Sequence, residues 1–293
     1  MTTISPILMP VDFSKRCMDM IPYLKFMAAK YNAEIILLHV VNPVYAISET
    51  GISPPAIVPV PEWLIAQQAE KLETFGDPEL QGFRVRRLVY EGEPDAQIVA
   101  TVEAEGAQMV MMPTHGYGAF RRFLIGSVTA KVLHDVDCPV LTGAHFQEHK
   151  PAKEMNVSNL VCAIDGNLGP CSCNAALEWA SRLSMDFHGT LSIIHAVPAP
   201  HPSLRVVFSS DVKDQMETMI RDEIARLKTK IGAEDIAVCI EQGEVTHTVC
   251  SYAQSVGADL LVIGRGGKRN GMGRLRSNAY GIIRQSTCPV LSV

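Results

Sequence analysis

Ile7-Leu8-Met9-Pro10-Val11-Asp12 is a short apolar run closed by an aspartate, and Leu160-Val161-Cys162-Ala163-Ile164-Asp165 repeats the pattern later in the chain. Each reads as a first, buried strand with a polar residue at its carboxyl end. The correspondence continues outward in one order. Ile35-Ile36-Leu37-Leu38-His39-Val40 is answered by Leu191-Ser192-Ile193-Ile194-His195-Ala196-Val197. Glu91-Gly92-Glu93-Pro94 pairs with Gln242-Gly243-Glu244-Val245, and the run Ala107 to Met112 pairs with Ala258 to Ile263. Here the offset is constant, 243 − 92 = 151 and 258 − 107 = 151. Cys138-Pro139-Val140-Leu141 and Cys288-Pro289-Val290-Leu291 close the two halves. Matched blocks in the same order make the chain an internal duplication.

Within each half, short β-branched runs alternate with longer helical segments, the signature of βαβ units and a parallel sheet. Right-handed crossovers place helices on both faces of such a sheet. A length of 293 residues accommodates two domains of this kind. The expected boundaries are 1–143 for the first domain, 144–157 for a polar linker holding His145, Gln147, Glu148, His149 and Lys150, and 158–293 for the second. Asn42 to Pro61 carries five prolines and is expected to be a long irregular loop. Such loops leave the carboxyl ends of strands, where open α/β sheets bind ligands.

The composition, 47% hydrophobic and 19% charged, is globular, and no apolar run reaches the length of a membrane span. No secretory signal is legible at Met1 to Pro6, so a cytoplasmic location is expected. The net charge of −5 argues against a general nucleic-acid surface. Eight cysteines lie mostly in apolar runs without a C-x-x-C framework and are expected to be reduced thiols. Cys171-Ser172-Cys173 has the wrong spacing for a zinc site and reads better as small residues opening a helix.

Pro113-Thr114-His115-Gly116, nine further residues and then Gly126-Ser127-Val128-Thr129 follow the fourth strand and lead into a helix. Gly116 lets the backbone turn, and Gly126 removes a Cβ where a ligand must approach the helix start. Ser127 offers a hydroxyl and an N–H to an anion at the positive end of the helix dipole. The second half has Gly264-Arg265-Gly266-Gly267, nine residues and Ser277-Asn278-Ala279, with Lys268, Arg269, Arg274 and Arg276 between them. Those cations are either a solvated loop or an anion or partner site. Neither segment is a Walker loop, and no GxGxxG fingerprint follows a first strand.

The order strand-Asp, strand-His-Val, glycine turn, nine residues, Gly-Ser, helix, Cys-Pro-Val-Leu resembles the universal stress protein family over nearly the whole chain, twice. The resemblance implies two tandem open five-stranded parallel sheets, Rossmann-like and similar to adenine nucleotide α-hydrolases. It also implies adenine-nucleotide binding: ATP, with magnesium as an option and AMP or ADP as alternatives. Carried across, Pro10, Val11, Asp12 and Val40 would hold adenine, Met112, His115 and Gly116 would line ribose and phosphates, and Gly126, Ser127, Val128 and Thr129 would take the terminal phosphates. The second-half equivalents would be Asp165, Val197, Ile263, Gly264, Gly267, Ser277, Asn278 and Ala279. Pro113 departs from the family glycine, and Ser277-Asn278 is read here as replacing Gly-Ser.

Asp12 and Asp165 fit either a helix cap or a ligand contact. His39 and His195 are expected to be satisfied, partly buried histidines without chemistry. No Ser-His-Asp set, carboxylate pair or metal spacing is legible, so no catalytic or metal residue is expected and hydrolysis would be slow at most. The expected function is a stress-response ATP sensor or regulatory module acting on an unidentified protein partner, without nucleic acid or membrane. A nucleotide-free interaction module and a slow ATP-hydrolysing enzyme are the rivals. The last strand of each sheet leaves an edge in need of cover, so the halves are expected to form an internal pseudo-dimer, with homodimerisation a further option.

Overall fold

The computed structural model describes residues 4–46, 56–115, 125–143, 157–164, 173–198, 210–265 and 277–293. The chain divides into two compact units, one running from the amino-terminal end to Leu141 and the other holding Asn156–Val293.

In the first unit the elements run β1 (Ile7–Pro10), α1 (Lys15–Tyr31), β2 (Ile35–Val41), β3 (Val44–Ala46), β4 (Ala56–Val58), α2 (Glu62–Glu73), β5 (Val85–Glu91), α3 (Pro94–Glu105), β6 (Met109–Pro113), α4 (Ser127–Asp135) and β7 (Val140–Gly143). The sheet order is β7-β6-β1-β2-β5. β1 runs parallel to both its neighbours, with Ile7 opposite Ile35 on β2 and Met109 on β6. The chain therefore winds outward in one direction through β5, then crosses back to β6 and winds the other way. Right-handed connections put α1 and α2 on one face and α3 and α4, which pack together, on the other. Strands covered on both faces must be apolar along their length. Ile7, Leu8, Met9, Ile35, Ile36, Leu37, Met109, Val110 and Met111 are accordingly fully buried, each such side chain contributing roughly 1.5–3 kcal/mol.

Helix α1 shows how sequence sets an element. Ser14 Oγ caps its start by accepting from Cys17 N, and Asn32, in the left-handed region at φ 48°, ends it. Cys17, Met20, Ile21, Leu24, Met27 and Ala28 form the buried stripe. The segment expected to be wholly irregular between Asn42 and Pro61 instead contains a short antiparallel ribbon, Val44 opposite Val58 and Ala46 opposite Ala56. Val44-Tyr45-Ala46 and Ala56-Ile57-Val58 are proline-free, so every residue in the ribbon keeps its N–H for pairing.

At the outer strand β5, Arg86 joins Glu34 (2.9 Å) and Glu105 (2.6 Å). Arg87 donates to the carbonyl of Leu72 (3.0 Å) and to Asp77 (3.2 Å).

The second unit repeats the plan with β8 (Asn159–Ile164), α5 (Cys173–Phe187), β9 (Thr190–Val197), α6 (Ser210–Lys230), β10 (Ala237–Gln242), α7 (Val245–Ser255), β11 (Leu260–Ile263), α8 (Ser277–Gln285) and β12 (Val290–Ser292). Its sheet order is β10-β9-β8-β11-β12 with parallel pairings throughout. The expectation of five-stranded parallel α/β sheets in tandem holds in both halves. Among the described residues, no helix is long and apolar enough to cross a membrane.

Candidate functional site

In the first unit the winding reverses between β1 and β6, and their carboxyl ends open a crevice at that switch point. Pro10, Val11 and Asp12 leave β1 there, Val40 lies near the end of β2, and Met112 and Pro113 end β6. Helix α4 then starts at the same edge. Gly126 donates its N–H to Thr114 O (2.8 Å), and Thr129 Oγ1 donates to Pro113 O (3.1 Å), which stitches the first turn of α4 to the strand exit. A Cβ on Gly126 would lie 3.4 Å from Thr114 O, an ordinary van der Waals contact, so the position itself admits a side chain.

No side chain caps α4. The first N–H groups of any helix lack intrahelical acceptors, and here Ser127, Val128 and Thr129 present theirs at the crevice. Ser127 is exposed while Thr129 is 4% exposed. His115 is buried, its Nδ1 2.9 Å from Thr114 Oγ1, at the strand exit where the sequence places it. Gly116 lies outside the described residues.

Asp12 is only partly buried. Its Oδ1 accepts from Ser14 N (2.9 Å) and from the thiol of Cys17 (2.9 Å). The cap of α1 is thus Ser14, and Asp12 holds the loop that precedes it. His39 donates from Nδ1 to Val11 O (2.7 Å), and Phe13, at φ 60°, packs against His39 with the rings tilted by 44° and centroids 4.5 Å apart. Lys71 Nζ sits 4.2 Å from the centre of the Phe13 ring. Burial, aided by Lys71, holds His39 below its ordinary pKa. Sequence reading passed over Ser14, Phe13, Cys17 and Thr114. The signal for Ser14 was available, since Ser before a helical run is a cap.

In the second unit His195 repeats the contact, its Nδ1 2.9 Å from Ile164 O. Val197 and Ile263 end β9 and β11 at the corresponding edge, and Gly264 follows directly. Asp165, Gly266, Gly267 and Cys171-Ser172 lie outside the described residues. Arg265, 1% exposed, stands where the first unit has Thr114, since 265 − 114 = 151 matches the strand offset.

The pairing of Ser277 with Gly126 needs correction. Val136 N bonds Val132 O and Ser286 N bonds Ile282 O, so the two helices correspond at 286 − 136 = 150. Both helices begin on a serine, Ser127 and Ser277. Ser277 therefore takes the place of Ser127, Asn278 that of Val128 and Ala279 that of Thr129. The offset falls from 151 to 150 because the second glycine segment is one residue shorter, which a count of nine residues concealed. In sequence, the position of Gly126 is filled by Arg276.

Among the described residues, no cluster of three or more His, Cys, Asp or Glu could hold a metal ion. Cys17, Cys138, Cys162, Cys239, Cys250 and Cys288 are free thiols.

A doubly wound α/β unit built twice, with an uncapped helix start at the switch point of the first, defines the class of protein. The universal stress protein family model matches residues 3–142 and again 156–293, and the chain belongs to that family. Among curated relatives, the universal stress protein MJ0577 of Methanocaldococcus jannaschii is 28% identical over 153 residues, spanning 46% of this chain and 91% of that protein. Universal stress protein A homolog 1 of Coxiella burnetii is 26% identical over 144 residues, 47% of this chain and 97% of its own length. Each relative thus matches about one half of the duplication. A universal stress protein from Archaeoglobus fulgidus has a solved structure that superposes with a TM-score of 0.69 at 24% identity, covering 98% of this chain and 97% of that one. It shares the tandem fold.

Proposed function

We propose that the first unit binds an adenine nucleotide, ATP above all, and that the protein is a regulatory module of the stress response whose bound state is passed to a protein partner. The observation that carries this is the start of α4. Its N–H groups at Ser127, Val128 and Thr129 meet no side-chain cap, and Gly126 and Thr129 tie it to the exit of β6. Backbone donors at a helix start, with the dipole behind them, suit a phosphate. Asp12 and Val40, at the ends of the adjacent strands β1 and β2, stand on the side where a base would lie once the phosphates meet α4. Met112, His115 and Gly116 would line the path between. Magnesium, where present, would be held through the phosphates, as its preference for few protein ligands suggests.

Native mass spectrometry of the purified chain, followed by calorimetry with ATP, ADP and AMP, tests the reading. Retained or added nucleotide at one per chain or more supports it. No retained nucleotide and no heat with ATP and magnesium would leave the chain a nucleotide-free interaction module.

A further inference from the structure

Asp12 and Cys17 meet at the carboxyl end of β1, beside the first crevice. The thiol of Cys17 and the N–H of Ser14 converge on one carboxylate oxygen, Oδ1, each at 2.9 Å. Oδ2 has no partner among the described residues. Cys17 is 1% exposed and is itself fixed, since its N–H donates to Ser14 Oγ at 3.3 Å. We infer that Cys17 is a positioning residue: its S–H holds one oxygen of Asp12 so that the other reads a hydrogen-bond donor on the bound nucleotide. This rests on the adenine-nucleotide reading above.

The chemistry follows from the two groups. Burial first, and then the charge of Asp12, push the Cys17 thiol up to about 12, so it stays a donor at neutral pH. An ionised carboxylate only accepts. With Oδ1 already engaged twice, Oδ2 is the oxygen left to accept from a ligand N–H or O–H, and a carbonyl placed there would be repelled. The base edge offers such a donor in the 6-amino group of adenine, which inosine replaces with a keto oxygen. The ribose offers its 2′-hydroxyl, which the deoxy sugar lacks.

The test measures affinities of the full chain for ATP, ITP and 2′-deoxyATP in the wild type and in Cys17→Ala, Cys17→Ser and Asp12→Asn, with thermal unfolding as a folding check. Asp12→Asn identifies which analogue reports, because its penalty relative to ATP shrinks in that variant. Cys17→Ala is expected to weaken ATP by about three- to tenfold and to shrink the same penalty, and Cys17→Ser, which keeps a donor, to restore both. A structural role alone would weaken all three nucleotides equally in Cys17→Ala, and that result overturns the inference. So does an unchanged preference in Cys17→Ala. If the wild type binds none of the three, the nucleotide reading falls as well, so the two failures are distinct.

Discussion

His39 reaches from β2 to Val11, Nδ1 to carbonyl oxygen at 2.7 Å, and so fixes the backbone one residue before Asp12. The same link joins His195 to Ile164 in the second unit, which makes it part of the duplicated scaffold. Because burial, with Lys71 adding to it, holds the imidazole below its ordinary value of 6.5 against the opposing Val11 hydrogen bond and Asp12, the folded state resists protonating it. Below pH 6.5 the unfolded chain then binds more protons, so the stability present at neutral pH is lost as pH falls towards the folded value. Urea unfolding at pH 8, 7, 6 and 5 should show that decline. His39→Asn, which can still donate to Val11 O but does not titrate, should flatten it.

Gly126 should separate folding from binding. Its φ of −59° suits any residue, and it is the cap position of a helix that no side chain caps. Aspartate there is a good cap and is expected to leave stability unchanged or raise it by a few tenths of a kcal/mol. It would also occupy the donors proposed for phosphate with a negative charge. Gly126→Asp should therefore melt no lower than the wild type while losing at least about tenfold in ATP affinity, about 1.4 kcal/mol. A variant that melts normally and binds normally would remove α4 from the site.

The two halves are expected to be unequal. The first keeps Gly126 ahead of Ser127, whereas the second has Arg276 ahead of Ser277 and Ala279 in place of the hydroxyl-bearing Thr129. Calorimetry should show the tighter ATP site abolished by Gly126→Asp and largely unaffected by Arg276→Asp. The reverse pattern would assign the tighter site to the second half.

Glu244 provides a check on fold stability away from the crevice. Its carboxylate caps α7 by accepting from His247 N (2.7 Å) and Thr246 N (3.0 Å), and the His247 bond leads in holding it below its ordinary 4.5. Glu244→Ala should cost about 1 kcal/mol at pH 7, measured by chemical unfolding. For a carboxylate with a lowered folded value the contribution is complete above 4.5 and disappears as pH falls through that folded value. The difference between variant and wild type should accordingly narrow in acid.

The duplication, the parallel sheets and the place of the crevice were legible because buried strands such as Ile35 to Leu38 must be continuously apolar and their polar ends must face the switch point. Gly126 was legible as the small residue that stands immediately ahead of Ser127 at the end of the glycine segment. The partners of Asp12 were not, since a buried cysteine has no sequence pattern that separates packing from donation. The register of Ser277 was missed because the count was taken forward across the loop; counted back from the Cys-Pro-Val-Leu blocks, 288 − 138 = 150, the lost residue is visible. The bonds of Ser286 and Val136, each closing the last turn of a helix, fix the same register.

The ion pairs of β5 also bear on how copies of this chain behave at high concentration. That strand ends its sheet, and an unpaired strand edge is a template on which another chain can add. Arg86, braced by Glu34 and Glu105, and Arg87, tied to Leu72 and Asp77, set one paired cation on each face of it. An incoming strand would have to desolvate or displace those ion pairs to pack alongside β5, so this border works against edge-to-edge addition of a second copy.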